Sequence, residues 1–383
     1  MFLALRDLRF ATGRFALMGS VVALISLLLV MLSGLTAGLG GQNTAAIDRL
    51  GEQGVQRLVF GGAAGQEPTA SFTQSEFTVA QRDAWAATDG VASVEPLGVS
   101  QGRAIGLEHP VDTDPQGRAD VSGEPTTGVA TTAFIGLTPG GSDAPAGVEP
   151  GHIVLSQDVA DSLHAQTGDA VAVSGFVYTV ADVVPTEYYS HSPVTWLALE
   201  DWNAISHTAD DAVLGTAGLV RFDADADVDT VAAAGDDAAG TVAETVKGSY
   251  AALPSYRSEN GSLMTMQGFL YGISALVVIA FLSIWTVQRT RDIAVLKALG
   301  GSNGWVLKDS LAQAAFVLVG GVAVGTGLAA VIGALAGRAV PFELSWATTA
   351  VPAAGVLVLG MLAAVVAVFR VTRIDPLVAL GGN

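Results

Sequence analysis

Residues 287–301, VQRTRDIAVLKALGG, lie between two long apolar segments and are too polar to cross a bilayer. Ile293, Leu296, Leu299 and Gly300 recur at i, i+3, i+6 and i+7. That spacing makes one helical face, bordered by Arg291, Asp292 and Lys297. Gly300 and Gly301 then supply a stop signal. The chemistry on offer is docking. An apolar stripe with charged margins suits either a surface helix tying two membrane spans together or a helix seated on a partner.

Bond-making chemistry is not written in this sequence. There is no G-x-x-x-x-G-K-[ST] loop to cradle ATP phosphates, no G-x-S-x-G elbow and no H-E-x-x-H helix. Cysteine is absent, which removes thiolate nucleophiles, disulfides and zinc-thiolate sites. His109, His152, His164, His191 and His207 match no zinc spacing, although His191 falls close to Tyr188 and Tyr189. Asp223, Asp225, Asp227 and Asp229 alternate with Ala and Val. They lack the central Gly and later Glu of a calcium loop and read as a solvated acidic edge. No resident metal or cofactor and no catalytic residue is expected.

The elements that position the docking stretch follow from composition. Half of the 383 residues are hydrophobic and only 14% are charged, against roughly 25% in soluble domains. The net charge of −18 is uneven: residues 41–262 carry −23 and the rest +5. An acidic aqueous middle is thus flanked by apolar, mildly basic ends, and no nucleic-acid partner is expected.

Residues 1–14, with Arg6, Arg9 and Arg14, read as an interfacial helix. Residues 15–40 form the first span, uncleaved because its apolar run is longer than the roughly 7–15 residues of a signal peptide. Residues 41–260 are an α+β domain, followed by a second span at 261–287 and the polar segment 288–304. Spans three and four are 308–337 and 344–369, and 370–383 is a tail. The fold class is therefore a membrane α-helical protein of four transmembrane helices, with an α+β extracytoplasmic domain between helices 1 and 2.

Arg6, Arg9, Arg14, Arg289, Arg291, Lys297, Lys308, Arg370 and Arg373 fall on one side of such a plan, which makes that side and both termini cytoplasmic. No Asp, Glu, Lys, Arg or His lies within 15–40, 261–287, 310–337 or 344–369, which argues against a proton relay. In the middle, residues 75–87 read as a helix with Ser75 as N-cap, and 108–128 and 138–151 as loops. His152 to Leu155 reads as a strand, 156–166 as a helix, and Val171, Val173 and 175–180 as strands.

Five stretches carry a resemblance. R-T-R-D-I-A-V-L-K-A-L-G at 289–300 resembles the coupling helix of MacB/FtsX-type (type VII) ABC transporter permeases, and R-V-T-R-I-D-P-L-V-A-L at 370–380 resembles their tail. The family's closing Arg is Gly381 here. The opening MFLALRDLRF, the exit L-S-G-L-T-A-G-L and SFTQSEF at 71–77 are similar to heme-exporting permeases of the heme-regulated transporter (Hrt) type.

The resemblance implies a permease subunit working as a homodimer on two copies of a separate ABC ATPase that binds ATP and magnesium. It would sit in a bacterial cell membrane and transmit force mechanically. The ATPase would be met by Arg289, Thr290, Arg291, Asp292, Ile293, Leu296, Lys297, Leu299 and Gly300. Heme is the implied cargo. Axial ligands of heme iron are drawn from Met, Tyr, His or Cys, which singles out Met31, Met264, Met266 and Tyr271, with Tyr256 and Arg257 beside them. The superfamily leaves two alternatives: an exporter of an antimicrobial or lipid, and an FtsX-like envelope regulator that transports nothing.

Overall fold

The computed structural model describes residues 12–63, 66–206, 210, 212–288, 303–337 and 340–372. The chain opens with α1 (Thr12–Glu52), β1 (Arg57–Phe60), β2 (Phe77–Thr78), α2 (Val79–Ala86), β3 (Val91–Leu107) and β4 (Thr126–Leu137). It continues through β5 (His152–Ser156), α3 (Gln157–Leu163), β6 (Ala170–Val173), β7 (Phe176–Val184), β8 (Tyr188–Tyr189), β9 (Ser192–Ala198) and α4 (Leu199–Ile205). Then come β10 (Val213–Gly215), β11 (Ala217–Phe222), α5 (Val228–Ala239), β12 (Val242–Thr245) and a 3-10 turn at Gly248–Ala252. Helices α6 (Pro254–Gln288), α7 (Asn303–Ala336) and α8 (Trp346–Thr372) complete the described chain. Two units result: Gly40–Glu259, and Met1–Leu39 together with Asn260–Asn383.

In the helical unit, α1, α6, α7 and α8 are each long and apolar enough to cross a membrane. Uncharged runs of Leu, Val and Ala favour helix there because a helix satisfies its own backbone in lipid. Phe15, Met18, Val22, Ile25 and Leu29 alternate three and four apart on α1 and pack with Val317, Leu318 and Val322 of α7. Small residues let the backbones approach. A Cβ on Gly325 would lie 2.2 Å from the Ala23 carbonyl oxygen. The short connection before α8 folds inward: Glu343 N–H donates to the Gly34 carbonyl at 3.0 Å, and the Phe342 ring rests on Gly34 and Gly333. Helix α8 starts at Trp346 because the Ser345 hydroxyl caps it, accepting from Thr348 N–H at 3.2 Å.

The other unit is α+β. Its main sheet runs β12-β1-β11-β3-β4-β9-β5-β7-β6, with β8 paired to β9, and β6 returns to pair with β3. The strands from β3 to β6 thus close on themselves. Inside that closure Phe134, Ile153, Leu155, Val171, Tyr178 and Leu197 pack with Leu163 of α3 and Trp202 of α4. A second core gathers Leu58, Phe60, Phe72, Leu97 and Trp196 around Ala46, Ile47 and Leu50 from the last turns of α1. Trp85 of α2 fills a third with Phe77 and Phe222, and its indole N–H donates to Thr241 Oγ1 at 2.9 Å.

Several local readings change. Helix α2 begins at Val79 with Thr78 as N-cap in a capping box with Gln81. Ser75 instead accepts from Gly62 N–H at 3.0 Å. The helix expected over 156–166 ends at Leu163, where His164 turns left-handed. Asp227 caps α5, Asp229 pairs with Arg57, and among the described residues no acidic or histidine group could hold a metal.

Candidate functional site

The docking residues Arg289, Thr290, Arg291, Asp292, Ile293, Leu296, Lys297, Leu299 and Gly300 lie outside the described residues, as do the segment 1–11 and the tail from 373. The structure frames them: α6 is described to Gln288 and α7 from Asn303.

The remaining candidates are spread out. On α6, Met264 is 61% exposed and Met266 52% exposed. Two residues at about 100° each put them about 200° apart around the helix, so they do not converge. Tyr271 is half-buried against Gly355 of α8, where a Cβ would lie 2.8 Å from its ring. Met31 is half-buried on α1, on the side that carries Gly38 seven residues later. In the α+β unit, Tyr256 stacks edge-on against Tyr250 with ring centroids 5.4 Å apart, while Arg257 is exposed.

A polar cluster that the sequence did not announce lies within the α+β unit, among the last turns of α1, the first turns of α6 and the β8–β9 turn. The two-residue turn between β8 and β9 is made by Ser190 (φ 48°) and His191 (φ 64°), both left-handed. Turned this way, His191 Nε2 sits 2.8 Å from Glu259 Oε2 and 3.0 Å from Asn43 Nδ2. Asn43 Nδ2 donates to Glu259 at 3.2 Å, and Ser255 Oγ donates to Asn43 Oδ1 at 2.8 Å. Backbone bonds reinforce the joint: Ser190 N–H to Asn43 O at 3.1 Å and His191 N–H to Gln42 O at 2.9 Å.

One turn further along α1, Asp48 accepts from Thr44 Oγ1 at 2.9 Å and from the Tyr250 hydroxyl. Burial, then that carboxylate, push the Tyr250 hydroxyl up. Arg49 lies 3.5 Å from Glu187 and covers the Trp196 ring at 5.5 Å. Burial raises the Glu187 carboxyl against the lowering pull of Arg49. Tyr188 goes elsewhere, donating to Asp158, which with burial pushes its hydroxyl up to about 12. Tyr189 is buried in the core beside Phe72. The neighbouring Tyr188, Tyr189 and His191 therefore serve three different places. The left-handed turn is what separates them, and serine and histidine give no glycine-like signal for it. The cluster holds no nucleophile paired with a base; it can bind two helix ends to a hairpin.

The family described as FtsX-like permease C-terminal matches residues 264–376, from within α6 through α8. Residues 264–376 are thus similar to the C-terminal part of FtsX-like permeases. Similarity to curated proteins lies in comparable stretches. A Staphylococcus epidermidis protein described as a candidate hemin transport system permease, HrtB, is 27% identical over 131 residues, 34% of this chain and 37% of the relative. Its Staphylococcus haemolyticus counterpart is 28% identical over 130 residues, again 34% and 37%. An uncharacterized ABC transporter permease of Mycobacterium bovis is 35% identical over 113 residues, 30% and 32%. The chain thus spans about a third of the length of the curated relatives it matches.

Two solved structures resemble it loosely. The extracellular domain of YknZ from Gram-positive bacteria covers 48% of this chain and 95% of its own at 14% identity and a TM-score of 0.31. The periplasmic region of MacB from Actinobacillus actinomycetemcomitans covers 50% and 89% at 11% identity and 0.33. The family match over 264–376 and the four helices long and apolar enough to cross a bilayer indicate a multi-pass membrane protein.

Proposed function

We propose that the chain is the permease subunit of an ATP-driven ABC exporter that expels heme from the membrane. The observation that carries the permease reading is the FtsX-like permease match over 264–376, which takes in three of the four apolar helices. The heme part is supported by the likeness to the staphylococcal hemin-transport relatives.

The sequence holds no phosphate-binding loop, so hydrolysis falls to a separate ATPase. In this reading Arg289 to Gly300 dock on that subunit, two permease chains pair over two ATPases, and both termini are cytoplasmic. The α+β domain is then outside the cell membrane. Force would leave the permease through α1 and α6, whose far ends are gripped by the His191–Glu259–Asn43 cluster. The acidic domain repels propionates, so heme would enter from within the bilayer. Met264, exposed on one side of α6, is the proposed iron ligand, with Met266 on another side of that helix and Met31 on α1 as alternatives.

Titrating the purified chain in nanodiscs with hemin tests this reading. A saturable, shifted Soret band that disappears when Met31, Met264 and Met266 are replaced by Leu supports it. A band unchanged by the triple substitution removes those ligands. No band at all overturns heme as cargo and leaves export of an antimicrobial or lipid, with the permease domain untouched.

A further inference from the structure

Strand β3 has two edges, and only one is fully occupied. Along the first, Gly98 to Leu107 pair with β4. Along the second, Val91 to Leu97 pair with β11 and Ala104 to Gly106 with β6. Between those two partners, Val99 to Arg103 meet no strand among the described residues.

Alternation decides which backbone groups face the gap. Beyond one end of β3, Glu108 N–H donates to Pro125 O on the β4 side; near the other, Leu97 O accepts from Thr216 N–H at 2.8 Å on the β11 side. N–H and C=O of one residue in an antiparallel strand point the same way, and successive residues alternate. Odd-numbered residues of this stretch therefore aim into the gap. Val99 N–H is taken by Thr216 Oγ1 at 3.2 Å. The Val99 carbonyl and both backbone groups of Gln101 are left to offer an incoming strand.

The gap opens into a cleft of about 560 Å³. Its walls include Ser100, Ser174, Trp202 and Ser206, and among the described residues its charged lining is acidic, Glu76 and Asp210. Trp202 packs closely on the sheet beside it: a Cβ on Gly98 or Gly136 would lie within 2.4 Å of its side chain. The cleft is thus polar, acidic and floored by an open strand edge.

We propose that this gap receives an extended, basic peptide segment of a partner protein by β-strand addition. Backbone bonds to Gln101 and Val99 would supply register, and lysine or arginine side chains would meet Glu76 and Asp210. The excess of acid over residues 41–262 favours the same sign of partner. The inference stands apart from the cargo and from the ATPase.

The test uses the full chain in nanodiscs and two fluorescein-labelled peptides, one alternating lysine with valine and one glutamate with valine, followed by anisotropy. The lysine peptide is expected to bind and the glutamate peptide not. Gln101→Pro removes an N–H aimed at the gap while sparing the β4 ladder, and should weaken binding about tenfold or more. Gln101→Ala should bind like the parent. A Glu76→Lys, Asp210→Lys double variant should lose the lysine peptide and accept the glutamate one, and it decides the matter if Gln101→Pro does not fold. Absence of lysine-peptide binding to the parent, or equal binding of both peptides, overturns the proposal. So does a folded Gln101→Pro that binds as well as the parent.

Discussion

His191 Nε2 stands 2.8 Å from Glu259 Oε2, which ties a hairpin turn to the second turn of α6. Asn43 of α1 touches both partners, so one imidazole joins two helix ends through a turn whose residues both have positive φ. Replacing His191 by Gly removes the ring yet accepts that φ, which isolates the hydrogen bonds from the strain. The pair is partly exposed, so the expected loss is about 1 kcal/mol. Tryptophan fluorescence melting reports on it, because Trp85, Trp196 and Trp202 all lie in this unit. A variant that melts with the parent would deny the joint any part in stability.

Gly325 and Gly327 offer a contrast on α7. A Cβ on Gly325 would lie 2.2 Å from the Ala23 carbonyl oxygen, whereas one on Gly327 meets nothing within 4 Å. Gly325→Ala must push α1 and α7 apart and should destabilise the bundle by about 1–3 kcal/mol. Gly327→Ala should be neutral or slightly favourable, since alanine is the better helix former. Thermal melts of both in the same detergent provide the comparison. Equal effects would refute the close approach.

Phe342 fills the space between Gly34 and Gly333. Phe342→Ala is expected to cost about 2–4 kcal/mol, because neither glycine can close the void. The coupling is measurable: Gly333→Ala should be damaging in the parent and tolerated once Phe342 is Ala. Additive effects in that double-mutant cycle would show that ring and glycine do not meet.

Glu187 supplies a pH dependence with a definite sign. Burial raises its carboxyl above the ordinary 4.5, with Arg49 opposing. The folded chain therefore holds this proton more tightly than the unfolded chain. Stability from the group is present below 4.5 and is lost as pH rises through the raised value. Asp201 and Asp236 are raised by burial in the same direction. Glu187→Gln should therefore melt at or above the parent at neutral pH, with the advantage shrinking toward pH 4.5. An advantage that grows on acidification would reverse the assignment.

The sequence by itself determined the four apolar helices, the α+β class of the middle and the strand–turn–strand around Gly168 to Val180. Each rests on local signals: uninterrupted apolar length, Gly-Asp turns and period-two alternation. It missed β3, the longest strand among the described residues, because Val91 to Leu107 carries Pro96 and five glycines or alanines where β-branched residues would be expected. Those small residues are explained only by what packs on them, such as Trp202 over Gly98.

The tertiary structure alone decided which side chains meet. It turned His191 toward Glu259 and Asn43, 68 and 148 residues away in the chain. Sequence spacing fixes a face on one element, but meeting across elements depends on backbone turns and on packing between residues distant in the chain.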